Sequence, residues 1–159
     1  MSFQYDDGGR AAAGYKGYTG DCVTRAIAIA TGKPYQEVYD AINHLAVMER
    51  KGSRKRGKSN ARTGVYKPTI RKYLQSLGWK WTPTMHIGSG CKVHLRAEEL
   101  PSGRLIVSVS RHSVAVIDGV IHDISDPRRG PTYWYRQGTT EVERVVPETR
   151  CVYGYWQKS

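Results

Sequence analysis

The feature that most constrains this chain is a change of hydrophobic period near its midpoint. Apolar residues recur at helical spacing between Val23 and Leu77, and they alternate between Leu105 and Trp156. A repeat near 3.6 residues buries one stripe of a helix, and a repeat of 2 buries one face of a strand. Val23, Ala26, Ile27 and Ala30 mark a first helix over 21–31, with Asp21 as its cap and Gly32 as its end. Pro34 suits the first turn of a second helix, whose stripe is Val38, Ile42 and Leu45. Ile70, Tyr73, Leu74 and Leu77 give a third helix over 67–77, closed by Gly78. Trp79-Lys80-Trp81 reads as the start of a strand. Residues 105–110 and 150–156 alternate as strands do. Residues 112–117 and 120–124 flank Asp118-Gly119, a two-residue hairpin signal. Helices first and antiparallel strands second is an α+β order. One domain over 1–159 is the expectation from length.

Two stretches fall outside this periodicity. Residues 1–20, rich in Gly and Tyr, read as an N-terminal arm with turns at Asp7-Gly8-Gly9 and Tyr18-Thr19-Gly20. Residues 50–64 read as a mobile basic loop, with seven Lys or Arg and no acid between Arg50 and Arg62. The formal net charge of +11 favours polyanions or acidic partners without fixing a chemistry. Met1 to Arg10 lacks a signal-peptide pattern, and no apolar run approaches the roughly 20 residues that span a bilayer. Cys22, Cys91 and Cys151 are too few and too scattered for a disulfide framework. A chain free of membrane contact in a reducing, cytoplasmic compartment is the resulting expectation.

Cys22 stands at the expected start of a buried helix, where unpaired N–H groups stabilise a thiolate and can bind an oxyanion. The plainer reading of a lone Cys is a buried core residue. His112 opens a strand, and a His among apolar strand residues is often only a satisfied core group. The hairpin changes that weighting. A turn at Asp118-Gly119 pairs Ile117 with Val120 and Val114 with Asp123, so Asp123 shares a face with His112. A carboxylate there can fix the imidazole tautomer and stabilise its cation. Asp126 has the opposite parity and is an alternative third member, although a turn residue before Pro127 is its preferred reading.

Gly20-Asp21-Cys22-Val23-Thr24-Arg25-Ala26, His112-Ser113-Val114-Ala115-Val116 and His122-Asp123 together resemble the layout of the papain-like cysteine peptidase superfamily. The Asp-Cys pair and the later Asp-Pro are similar to the leader-processing peptidase domain of bacteriocin exporters. The phrasing of the chain is also similar to small proteins encoded by bacteriophages and bacteria, which would place it in a host cytoplasm. The resemblance implies a papain-like fold, with N-terminal helices packed on a C-terminal antiparallel sheet. It implies Cys22 as nucleophile, His112 as general base then acid, and Asp123 as orienting group. The reaction would be acyl transfer on a peptide, isopeptide or amide bond, without a cofactor. The superfamily often places a Gln six residues before the Cys to complete the oxyanion hole. Here that position is Lys16, so Lys16, Thr19 or backbone amides are the donors. The spacing from His112 is 11 residues to Asp123 and 14 to Asp126, shorter than is usual in the superfamily.

Other motifs carry weaker signals. Cys91-Lys92-Val93-His94 has zinc-ligand spacing, but no second pair accompanies it, and a loop entering a strand is the reading adopted. Arg54, Lys55, Arg56 and Lys58 could hold a phosphate backbone or an acidic partner. Tyr133, Trp134 and Tyr135 interleave with Arg128, Arg129 and Arg136, as base-stacking or peptide-binding rims do; a strand packed on the core is the reading preferred for Trp134. His44 and His86 have no visible partners. The alternative to a cysteine hydrolase is therefore a basic nucleic-acid-binding or host-protein-binding module without catalysis.

Overall fold

A computed structural model describes residues 1–17, 19–49, 57–128, 133–144 and 150–158, with 133–137 and 141–144 described as backbone only. Three helices pack on a six-stranded mixed sheet, an α+β architecture. The helices are α1 (Cys22–Thr31), α2 (Tyr35–Val47) and α3 (Lys67–Ser76). The strands are β1 (Ser2–Tyr5), β2 (Trp79–Pro83), β3 (Arg104–Val109), β4 (His112–Ile117), β5 (Val120–Asp123), β6 (Tyr133–Gln137), β7 (Thr140–Arg144) and β8 (Val152–Lys158). The main sheet runs β1-β5-β4-β3-β8-β2, and β6 and β7 form a separate two-stranded sheet.

The period-3.6 stripes bury as their spacing predicts. Ile27, Val38, Ile42 and Leu74 are fully buried and meet Ile106, Ala115 and Trp156 of the sheet. The alternating residues Leu105, Val107, Val114, Val116 and Ile121 join Val152 and Leu95 in a second cluster. Gly32 ends α1 in the left-handed conformation. The Asp118-Gly119 turn has both residues at positive φ, 48° and 77°, which matches the twist of the flanking strands. It pairs Ile117 with Val120, Val116 with Ile121 and Ala115 with His122.

Three expectations need correction. Residues 2–5 are a strand within the expected N-terminal arm: they form β1, parallel to β5 with Tyr5 opposite Asp123. The sheet is therefore mixed rather than antiparallel. Asp21 does not cap α1 through its side chain; its carboxylate oxygens are taken instead by the guanidinium groups of Arg10 and Arg25 and by the Tyr35 hydroxyl. Cys91 and Cys151 are bonded to each other, which leaves Cys22 as the free thiol. Trp134 does lie on a strand, β6 of the separate hairpin, and whether it packs on the core falls outside the described residues.

Arg54, Lys55, Arg56, Arg129 and Tyr18, and the side chains of Tyr133, Tyr135 and Arg136, also fall outside the described residues. Lys58 is exposed. Of the rest of the basic stretch, Ser59 and Ala61 are buried, and Asn60 bridges to Gly64. Among the described residues no helix is long and apolar enough to cross a membrane.

Candidate active site

Three chain ends converge at one edge of the helix–sheet interface. Cys22 is the first residue of α1, His112 the first of β4, and Asp123 the last of β5. The two-residue Ser110-Arg111 turn delivers His112, with Arg111 at a φ of 56°. Asp123 accepts a 2.6 Å hydrogen bond on Oδ2 from His112 Nε2. The remaining ring nitrogen, Nδ1, is not engaged by Asp123, and the Cys22 thiol and the His112 imidazole lie close enough to shift each other's proton affinity.

The electrostatics favour a thiolate beside an imidazolium. Burial pushes the Cys22 thiol up, but the His112 hydrogen bond, the Ser113 backbone amide and the charges of His112 and Arg25 hold it below the ordinary thiol value. Burial pulls His112 down, and the bonds and charges of Asp123 and Cys22 more than offset this, raising it to about 9. Burial raises Asp123, yet its bond to His112 and that charge, with the Arg25 guanidinium, leave it below the usual carboxylate range.

Behind the triad lies a buried ionic chain that the periodicity does not reveal. Arg25 is 5% exposed. It donates from Nη1 to Asp123 Oδ1 at 2.6 Å and from Nε to Asp21 Oδ1 at 3.0 Å. Asp21, 0% exposed, also accepts from Arg10 Nη1 at 3.2 Å and from the Tyr35 hydroxyl at 2.8 Å. Burial, then the bond to Asp21, pushes the Tyr35 phenol well above its ordinary value. The Asp21–Arg25 spacing of four residues was the available signal, since such pairs face one another on a helix. Arg10 and Tyr35 had none.

The approach to Cys22 is fixed by a second loop. A Cβ at Gly20 would lie 2.5 Å from the Thr63 carbonyl oxygen, so only glycine fits. That loop is held in turn: Thr24 Oγ1 donates to the Ala61 carbonyl at 2.6 Å, and Asn43 Oδ1 accepts from the Ala61 amide. Lys16 is exposed, and its carbonyl accepts from Arg62 Nη2 at 2.6 Å. The Thr19 hydroxyl is buried with no hydrogen-bond partner among the described residues. Asp126 is bound by its neighbour Arg128, with Nη2 to Oδ2 at 2.7 Å, as a turn residue would be.

The Cys91-x-x-His94 pair is divided. Cys91 takes Cys151 as its partner, and His94 Nδ1 meets Glu99 Oε1 at 3.3 Å. Among the described residues no group of three or more His, Cys, Asp or Glu is placed to hold a metal ion. No protein-family model, curated protein or solved structure matches the chain.

Proposed function

We propose that the protein is a papain-like cysteine hydrolase acting by acyl transfer on an amide, peptide or isopeptide bond. The observation that carries this reading is Cys22 at the start of a helix beside a His112 that is hydrogen-bonded to Asp123, with the thiol lowered and the imidazole raised by one another. A structural cysteine needs no such partner, and one buried without it would have a raised pKa.

In this reading the Cys22 thiolate attacks the substrate carbonyl carbon, and the carbonyl π electrons move to oxygen. The resulting oxyanion is met by first-turn N–H groups of α1, which the helix leaves unpaired and the Asp21 side chain does not cap. The unpartnered Thr19 hydroxyl, three residues upstream, is the side-chain donor this reading favours over exposed Lys16. Collapse of the tetrahedral species breaks the C–N bond, and the His112 imidazolium gives its proton to the departing amine. His112, now neutral, takes a proton from water as that water attacks the thioester. The acid leaves, and the thiolate–imidazolium pair is restored. Asp123 keeps Nε2–H engaged throughout and so holds the ring with Nδ1 toward sulfur.

An activated acetyl ester and intact-mass spectrometry test the proposal. Acetylation of Cys22 that then decays by hydrolysis is expected, with adduct absent in Cys22→Ala and persisting or not forming in His112→Gln. Equal acetylation of the wild type and Cys22→Ala would overturn it. The alternative of a nucleic-acid-binding module rests on Arg54, Lys55, Arg56 and Lys58. Of these only Lys58 is described, and no observation favours that reading.

A further inference from the structure

A cavity of about 150 Å³ lies next to the candidate site. Val23, the residue after Cys22, and Ser113, the residue after His112, are both part of its wall. The remaining wall is mainly apolar, with Ile70, Trp81 and Trp156 prominent. The two indole rings sit 5.4 Å apart at 49°. Trp81 is held against β8 by the absence of a side chain at Gly154, where a Cβ would lie 2.2 Å from the ring. The exposed Lys67 and Arg71, one turn apart on α3, complete the lining, and no acid contributes to it. Among the described residues neither cation has a carboxylate partner.

Resting on the hydrolase reading, we propose that this cavity is a specificity subsite for an acidic peptide, holding one aromatic side chain beside a carboxylate-bearing neighbour. The volume matches a single ring, because dry apolar cavities near 150 Å³ accept benzene. Tilted indoles offer a third ring edge-to-face contacts, which aliphatic groups cannot use. The polar mouth selects by charge: Lys67 and Arg71 attract a carboxylate and repel a second cation. The net charge of +11 steers the same substrates toward the molecule. Continuity through Val23 and Ser113 places the bound side chain within a residue or so of the attacked carbonyl.

The test compares rate constants for covalent labelling of Cys22 in the intact, disulfide-bonded protein. Iodoacetamide is too small to use the cavity and reports thiolate reactivity alone. Peptidyl acyloxymethyl ketones, which form a thioether with loss of a carboxylate, report the subsite. A Phe-Glu probe should label on the order of tenfold or more faster than Gly-Glu or Phe-Lys probes, as expected for one buried ring and one charge contact. The exposed double variant Lys67→Glu/Arg71→Glu should lose or invert the Glu preference, read as the ratio of the Phe-Glu to the Phe-Lys rate, in which any change of thiolate reactivity cancels. Equal labelling by the three probes, in a protein with fast iodoacetamide reaction, overturns the subsite and leaves the hydrolase reading standing. Iodoacetamide reaction no faster than that of a free thiol overturns the hydrolase reading, and the subsite with it.

Discussion

At the scale of single residues, the site is governed by how Asp123 divides its two oxygens. Oδ2 binds His112, and Oδ1 binds Arg25 and the Ile124 amide. A carboxylate so engaged cannot rotate, so the imidazole it holds has one tautomer and one orientation. Under the proposed hydrolase reading, the pH dependence of amide hydrolysis follows from the signs of the shifts. Cys22 is lowered from 9.0, so thiolate is present on the acid side of the usual thiol range. His112 is raised from 6.5 to about 9, so the proton needed by the leaving amine is retained until that pH. Activity should rise below pH 9 and fall again through about 9. Asp123→Asn removes one of the two groups, Asp123 and Cys22, that hold His112 up against its burial. The alkaline limb should then move to lower pH, and a limb that stays near 9 would contradict the role given to Asp123. Asp123 was legible in advance because a two-residue turn fixes register, and register fixes which carboxylate can face His112.

Among the elements, α1 does two jobs with opposite demands. Its first turn offers unpaired N–H groups to an anion, and its second turn buries a guanidinium between two carboxylates. Arg25 belongs to the second job and reaches across 98 residues of sequence to β5. Arg25→Met would leave Asp21 and Asp123 buried with much of their compensation gone. Loss of one partner from such a group costs about 3–5 kcal/mol. Urea unfolding should show a deficit of that order, and a change under about 1 kcal/mol would mean water or Arg10 replaces the guanidinium. The helix stripes were readable because each needs only its own periodicity. Arg25 was not, since a cation at one position of an apolar helix says nothing about a partner on a distant strand. β1 was also hidden: four residues, three of them exposed, leave no alternation to read.

Across the whole molecule, the N-terminal segment, the helices and the sheet are joined through one polar chain. It runs from Arg10 through Asp21, Arg25 and Asp123 to His112 and Cys22. β1 strengthens the junction, because Tyr5 pairs with Asp123 and the Asp6 amide donates to the Asp123 carbonyl at 2.9 Å. The three helices and the strands β3, β4, β5 and β8 were legible in period alone, whereas β1 and the Cys91–Cys151 bond were not. Those cysteines are separated by 60 residues, and only tertiary structure brings their α-carbons to 5.8 Å. Their pairing makes Cys22 the single titrating thiol of the molecule. The ultraviolet thiolate absorbance of the oxidised protein, minus that of Cys22→Ser, can therefore be titrated without interference from other cysteines. The account predicts a thiolate step below 9.0, displaced upward in His112→Gln. A step at or above 9.0, unmoved by that substitution, would contradict it.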